Sequence, residues 1–371
     1  RKHKSMKISA CVIVKNEEKV IGRWLDCMEK IAHEIIVVDT GSTDKTIEIV
    51  KNRNHKVYHY LWENDFSKAK NYAIAQATGD WILFLDADEY FTEACLKTVP
   101  IHIEKQHRNK NIDAIVCRLY NIDSDCKGRI ISTFSNLRIF RNMPYLRYHG
   151  NVHEMLKNDS RNLNLCMMDK EIQIYHTGYS SSILKGKLER NLKLLQDDIT
   201  KNGDKPDLYH YFCDCYHGLG NFEETIRYAR LHLASGCRLI SGNVEIYKKM
   251  IDAYIALQKS KEEILAVIDE AIEVYPEEPT FTYCKGEIYL QDRKYEKADF
   301  YLNQALVFAK KPRDAHSMDI FISYEKYLYI CLGKLMLMKN HKDKAIGYFI
   351  DALQKGKYDK ELFLLFYQNL R

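Results

Sequence analysis

The sequence predicts two successive architectures: an α/β domain with a doubly wound, mostly parallel sheet, then an all-α domain of paired helices. Three observations carry this. From Lys7 to about Tyr179, short apolar runs alternate with amphipathic stretches. Two of those runs, "EIIVVD" (34–39) and "WILFLD" (81–86), show no polar alternation, as expected of strands covered on both faces. From about Lys205 onward strand signals vanish and helical patterns recur in pairs.

The strands are read in order as "KISACVIV" (7–14), "EIIVVD" (34–39), "KVYHY" (56–60), "WILFLD" (81–86) and "DAIVCRLY" (113–120). Helices are expected over 16–31, 43–53, 67–78 and 91–106, with Asn16 and Ser42 or Thr43 as N-caps. A βαβα order of this kind closes into a parallel sheet, and such sheets bind ligands at the carboxyl ends of their strands. In the second half, four stretches share an aromatic-rich first helix, a short polar turn and a second helix with small residues such as Ala298 or Ala345. They begin near Asp207, Glu245, Phe281 and Tyr324, with "KKPRDAHSMDIF" inserted before the last. The pattern resembles tetratricopeptide-type repeats, whose usual period is ~34 residues; a generic helical bundle is the alternative. The expected domains are 1–179, a helical linker over 180–204, and 205–371.

Composition narrows the function classes. A net charge of +5 on 371 residues suits an anionic small ligand and is too weak to point to nucleic acid. The 11 cysteines are scattered without a C-x-x-C pair, which reads as reduced thiols in a cytoplasmic protein. No apolar run reaches the ~18–20 residues of a membrane span, and no signal peptide is visible behind the basic "RKHKSMK", so Met6 is a candidate natural start.

The chemistry-bearing residues gather at strand ends. Asp86 and Asp88, two apart, are expected to converge where "WILFLDADEY" leaves the sheet. Two close carboxylates repel, and a divalent cation such as Mg²⁺ or Mn²⁺ removes the conflict. The alternative is an acidic strand end in which Asp88 or Thr92 caps a helix starting near Phe91. Two further strands end in "VIVKNEE" and "VVDTGSTDKT", bringing Asn16, Glu17 and Asp39 to the same crevice. Gly41, Ser42 and Thr43 turn there into a helix N-terminus. Such a set suits a nucleotide diphosphate.

These stretches, with "NDFSKAKNYAIAQATGDWILFLDADE", "YHGNVHE" and "YHTGY……KGKLERN", resemble family-two glycosyltransferases of the GT-A fold over Lys7 to about Asn191. The likeness extends to enzymes that fuse this domain to a tetratricopeptide-like tail, such as the bacterial peptide glycosyltransferases that modify glycocins (the sublancin-type S-glycosyltransferases). The resemblance implies a UDP-sugar donor, with Asp39 on the uracil, Asn16 and Glu17 beside the nucleoside, and Ser42 in the nucleotide site. It implies Asp86 at the ribose and on the metal, Ala87 and His153 in the nucleotide-sugar site, and Asp88 as main ligand of Mn²⁺ or Mg²⁺. Asp65, Lys70 and Asn71 would contact donor sugar and phosphates; the family often has arginine where Lys70 stands, which would weaken a bidentate contact. Glu154 would be the general base, with His153 beside it, or would only orient the acceptor. No zinc helix is read there, because position 157 is lysine and not histidine. His176, ending the strand "EIQIYH", would complete the metal site or be structural. Lys187 and Arg190, three apart on a helix, would clamp the leaving diphosphate or form a solvated basic face. The acceptor expected is a peptide or protein cysteine, serine or threonine, held by the helical repeats; alternatives are a saccharide or lipid-linked glycan, or a non-enzymatic scaffold. The repeats could instead mediate a homodimer.

Overall fold

A computed structural model describes residues 5–126, 128–151, 154–237, 239, 242–311, 319–355 and 364. It divides into two compact units: residues 1–126, 134–184 and 193–202 in the first, and 127–133, 185–192 and 203–371 in the second.

The first unit is built on strands β1 (Ile8–Val14), β2 (Glu34–Asp39), β3 (Val57–His59) and β4 (Trp81–Phe84), which lie side by side in the order β3-β2-β1-β4 and are all parallel. Helices α1 (Ile21–Met28), α2 (Thr46–Asn52) and α3 (Phe66–Gln76) connect them. Residues Trp81 to Leu85 are fully buried. The reason is visible in the packing: Trp81, Leu83 and Leu85 enter one core with Val12, Trp24 and Leu25, while Ile82 and Phe84 enter another with Ile36, Val38 and Phe140. A strand sandwiched in this way has no wet face and therefore no polar alternation.

The sheet continues past β4 through β7 (Arg129–Arg141), β6 (Ala114–Asp123), β11 (Gln173–His176) and β5 (Glu89–Phe91). β4 runs antiparallel to β7, and β11 runs parallel to β6 but antiparallel to β5. A short strand β10 (Leu165–Met167) also pairs with β6. Helix α4 (Glu93–His107) is capped by Thr92, whose Oγ1 accepts from the Cys95 amide at 3.3 Å. A separate hairpin pairs β8 (Leu146–His149) with β9 (Met155–Asn158), and Glu154 directly precedes β9.

Two expected caps are corrected. α1 and α2 begin several residues later than their stretches suggest, after Val20 and Lys45, and neither cap residue makes a side-chain bond. Asn16 is instead in the left-handed region (φ 58°), and Ser42 and Thr43 belong to a loop that it contacts. The helix α5 (Ser181–Asn202) spans most of the 180–204 segment as one element.

Among the described residues, the second unit contains four antiparallel helix pairs: α6 (Tyr209–Gly218) with α7 (Phe222–Ala234), α8 (Val244–Ala256) with α9 (Lys261–Val274), α10 (Pro279–Gln291) with α11 (Tyr295–Ala309), and α12 (Glu325–Met338) with α13 (Lys342–Lys355). This is a tetratricopeptide-like domain. Each pair turns alike. Gly220, Gln258, Arg293 and Asn340 adopt positive φ just past the first helix. The next amide, of Asn221, Lys259, Lys294 or His341, bonds back to the carbonyl of Tyr216, Tyr254, Tyr289 or Met336. That is a Schellman closure, which satisfies carbonyls the helix end leaves open. Small residues let the paired helices meet: Ala298 and Ala345 are fully buried. A Cβ on Gly286 would fall 2.8 Å from Leu302, and one on Gly333 2.3 Å from Phe349. No helix among the described residues is long and apolar enough to cross a membrane.

Candidate active site

Two groups of contacts form at the carboxyl ends of β2, β1 and β4. The first ties the loops after β1 and β2 together. Asn16 N–H donates to Ser42 Oγ (3.0 Å), Asn16 Oδ1 accepts from the Thr43 amide (2.7 Å), and Glu17 N–H donates to Thr46 Oγ1 (2.7 Å). Asp39, only 3% exposed, accepts from the amides of Gly41 (3.0 Å) and Ser42 (3.1 Å) and lies 3.7 Å from His59 Nδ1. Gly41 has φ 110° there, a conformation that side-chain-bearing residues rarely adopt.

The second group surrounds the turn from β4 to β5. β4 stops at Phe84, so Asp86 and Asp88 stand on a turn rather than on one strand, and they meet different partners. Asp86 Oδ1 is 3.0 Å from Lys70 Nζ and Asp86 Oδ2 is 3.0 Å from Arg138 Nη2. Arg138, on β7, also grips the buried Glu89 through Nε (2.8 Å) and Nη2 (2.5 Å). Glu89 closes the turn by accepting from the Asp86 amide at 3.0 Å. Lys70, on α3 and 2% exposed, lies between Asp86 and Glu154 Oε1, the latter at 2.6 Å.

These pairings set the charge states. Burial pushes the Asp86 carboxyl up, but Lys70 and Arg138 outweigh it and hold it down to about 2. Burial would also push the Lys70 ammonium down, and Asp86 and Glu154 more than reverse that. For Glu89 burial prevails over Arg138 and leaves the carboxyl raised.

Asp88 joins the cluster from the other side. Its carbonyl accepts from the amide and hydroxyl of Thr177 (3.0 and 3.1 Å), which docks the turn on the end of β11. There His176 Nε2 lies 3.4 Å from Asp88 Oδ2, while His176 Nδ1 lies 2.8 Å from Asn121 Oδ1. An amide oxygen only accepts, so Nδ1 donates to Asn121 and Nε2 is left facing the carboxylate. A cation between Nε2 and the carboxylate would take a lone pair from each. Two ligands ~2.1 Å from one octahedral ion and at right angles would be roughly 3 Å apart, close to the spacing seen. The Asn121 contact is the outer-sphere support such a histidine usually has. Asp88 and His176 thus fit two positions of a divalent ion. Asp86 has one oxygen on Lys70 and the other on Arg138 and is not gathered with Asp88 and His176 into a three-ligand group. Among the described residues, no three of His, Cys, Asp and Glu stand close enough to hold a metal by themselves.

The remaining sequence candidates fall as follows. Asp65 is the N-cap of α3, accepting from the Lys68 amide (3.0 Å) and Ser67 Oγ (2.8 Å). Asn71 spends its amide on the backbone of Tyr148, donating to its carbonyl and accepting from its N–H, both at 2.9 Å. Ala87 is buried in the core. Lys187 (half-buried) and Arg190 (exposed) lie on the part of α5 that groups with the second unit. His153 lies outside the described residues. Sequence reasoning missed Arg138, Glu89, Asn121 and Tyr148. A usable signal existed only for Arg138: a lone cation within the apolar run "LRIF" of a strand needs a buried anion.

Residues 9–155 match the family model described as Glycosyl transferase family 2. That stretch holds the parallel sheet and the residues of its strand-end cluster, and is similar to family 2 glycosyltransferases. Among curated relatives, the chain is 31% identical over 227 residues to the SPbeta prophage-derived glycosyltransferase SunS of Bacillus subtilis, covering 60% of this chain and 52% of SunS. It is 30% identical over 271 residues to a TPR repeat-containing protein of Synechococcus elongatus, covering 71% of this chain and 64% of that one. The chain therefore spans between about half and two thirds of these relatives' length. A Thermus thermophilus TPR protein of known structure aligns with a TM-score of 0.36 at 19% identity, over 50% of this chain and 91% of that one.

Proposed function

We propose that this chain is a metal-dependent, inverting glycosyltransferase that moves a hexose or N-acetylhexosamine from a UDP-sugar to a cysteine, serine or threonine of a peptide or protein. The observation that carries the reading is the meeting of residues 70, 86, 89, 138 and 154 in one ionic cluster, inside the stretch similar to family 2 glycosyltransferases and beyond the carboxyl end of β4. Likeness to a protein named a glycosyltransferase, and the helical repeats that follow, support glycosyl transfer to an extended acceptor.

Glu154 accepts the proton of the acceptor hydroxyl or thiol. The acceptor's oxygen or sulfur bonds to the anomeric carbon as that carbon's bond to the diphosphate oxygen breaks, and UDP leaves from the opposite face. Configuration therefore inverts. Asp39 reads the base, and Asn16, Glu17 and Ser42 floor the nucleoside. Asp65, at the start of α3, contacts the donor sugar and phosphates. Asp88 and His176 would hold Mn²⁺ or Mg²⁺. When bound, the ion supplies Lewis acidity to the leaving diphosphate.

The test is UDP release from UDP-sugars with and without Mn²⁺, in wild type and Asp88→Ala, paired with mass spectrometry of candidate peptides. Release should need the ion and vanish in the variant, with a sugar-sized mass gain on the peptide. Equal release by both proteins sinks the metal role; mass gain on a glycan alone moves the acceptor to the saccharide class.

A further inference from the structure

The Tyr148 hydroxyl is buried in a residue only 4% exposed, and among the described residues it has no hydrogen-bond partner. Its ring is fixed: Phe84 and Phe140 meet it edge-on, with centroids at 5.5 and 5.9 Å, and Asn71 clamps its backbone from both sides. An unpaired buried hydroxyl destabilises a fold, and phenylalanine would fill the same space without that penalty. The hydroxyl's charged surroundings are Lys70 from α3, Asp86 from the β4–β5 turn, Arg138 from β7 and Glu154 from the start of β9. Lys70 Nζ stands 5.2 Å from the ring centre.

Lys70 connects these facts. In the resting arrangement its ammonium bridges Asp86 and Glu154. Once Glu154 takes a proton it no longer holds an opposite charge for Lys70, and Asp86 is already shared with Arg138. A 2% exposed ammonium then faces only a neutral, weaker acceptor on that side. We propose that Tyr148 is a positioning residue for glycosyl transfer: its hydroxyl accepts a hydrogen bond from Lys70 when Glu154 becomes protonated, which makes that protonation easier. The inference rests on Glu154 being the proton acceptor. No bond to carbon changes in this step; the proton stays on Glu154 and Lys70 N–H exchanges one acceptor for another.

The test is a double-mutant cycle on the full chain, needing no ligand. The substitution Glu154→Gln mimics the protonated carboxyl. Tyr148→Phe alone should leave Tm unchanged or raise it, because it removes an unpaired hydroxyl. In the Glu154→Gln background the same change should lower Tm by about 2–4 °C, one hydrogen bond's worth. Equal shifts in both backgrounds overturn the inference. Should Glu154→Gln fail to fold, UDP release from UDP-glucose with Mn²⁺ decides: Tyr148→Phe should lower kcat about tenfold at unchanged KM, and an unchanged kcat overturns it. The two readings separate cleanly. Wild-type UDP release by Glu154→Gln removes the base itself, whereas an inactive Glu154→Gln with background-independent Tyr148→Phe shifts removes only the role of Tyr148.

Discussion

Arg138→Met would remove the cation that closes the β4–β5 turn while keeping a long apolar side chain. Arg138 makes two short bonds to Glu89, which is 1% exposed, and one to Asp86. Its loss strands a buried carboxylate, a situation that costs about 3–5 kcal/mol. Against a total stability of roughly 5–15 kcal/mol this is a large fraction. At about 2–4 °C per kcal/mol for a domain of this size, Tm should fall by some 6–20 °C. The pH dependence has a definite sign. Glu89 is already raised in the folded chain by burial, and without Arg138 it rises further above its unfolded value of about 4.3. Between those two values the folded state binds more protons than the unfolded one, so stability falls as pH rises. The deficit of Arg138→Met should therefore shrink from pH 8 to pH 5. Adding Glu89→Gln should recover part of it at pH 8, because the stranded charge is gone. Calorimetry of wild type, single and double variants at both pH values checks all three. A single variant within 1 kcal/mol of wild type, or a deficit that grows in acid, refutes the reasoning.

Two further outcomes are expected in the repeat domain. Gln258→Gly removes a side chain from a left-handed backbone position (φ 53°) and should stabilise by about 0.5–1 kcal/mol, read as a rise in the denaturation midpoint. Gly333→Ala places a Cβ 2.3 Å from the buried Phe349 ring and should destabilise by about 1–3 kcal/mol, seen as an earlier melt of the helical domain.

Fold class was legible because the pattern follows burial directly. The apolar run 81–85 has no polar member since both its faces are covered, and the aromatic–turn–alanine units map onto the four helix pairs. Turn chemistry was less legible. Gly220, and more weakly Asn340, announce the left-handed closure; Gln258 and Arg293 adopt it because the Schellman bonds and the packed helices outweigh their preference. At the site, sequence spacing brought Asp86 and Asp88 to one place but mistook their geometry. Equal orientation at i and i+2 holds within a strand, and the strand ends at Phe84. The partner of Asp86 could not be read from a motif, because Arg138 is 52 positions away and its pairing is a product of sheet order.

The lacing of Asn16 to Ser42 and Thr43, and of Glu17 to Thr46, has an entropic consequence. The two loops are fastened to one another before any guest arrives, so a molecule settling on them need not immobilise wandering chain, and more of its contact energy survives as affinity. On the proposed function, loosening that stitch is the change that would slacken the grip on a nucleoside.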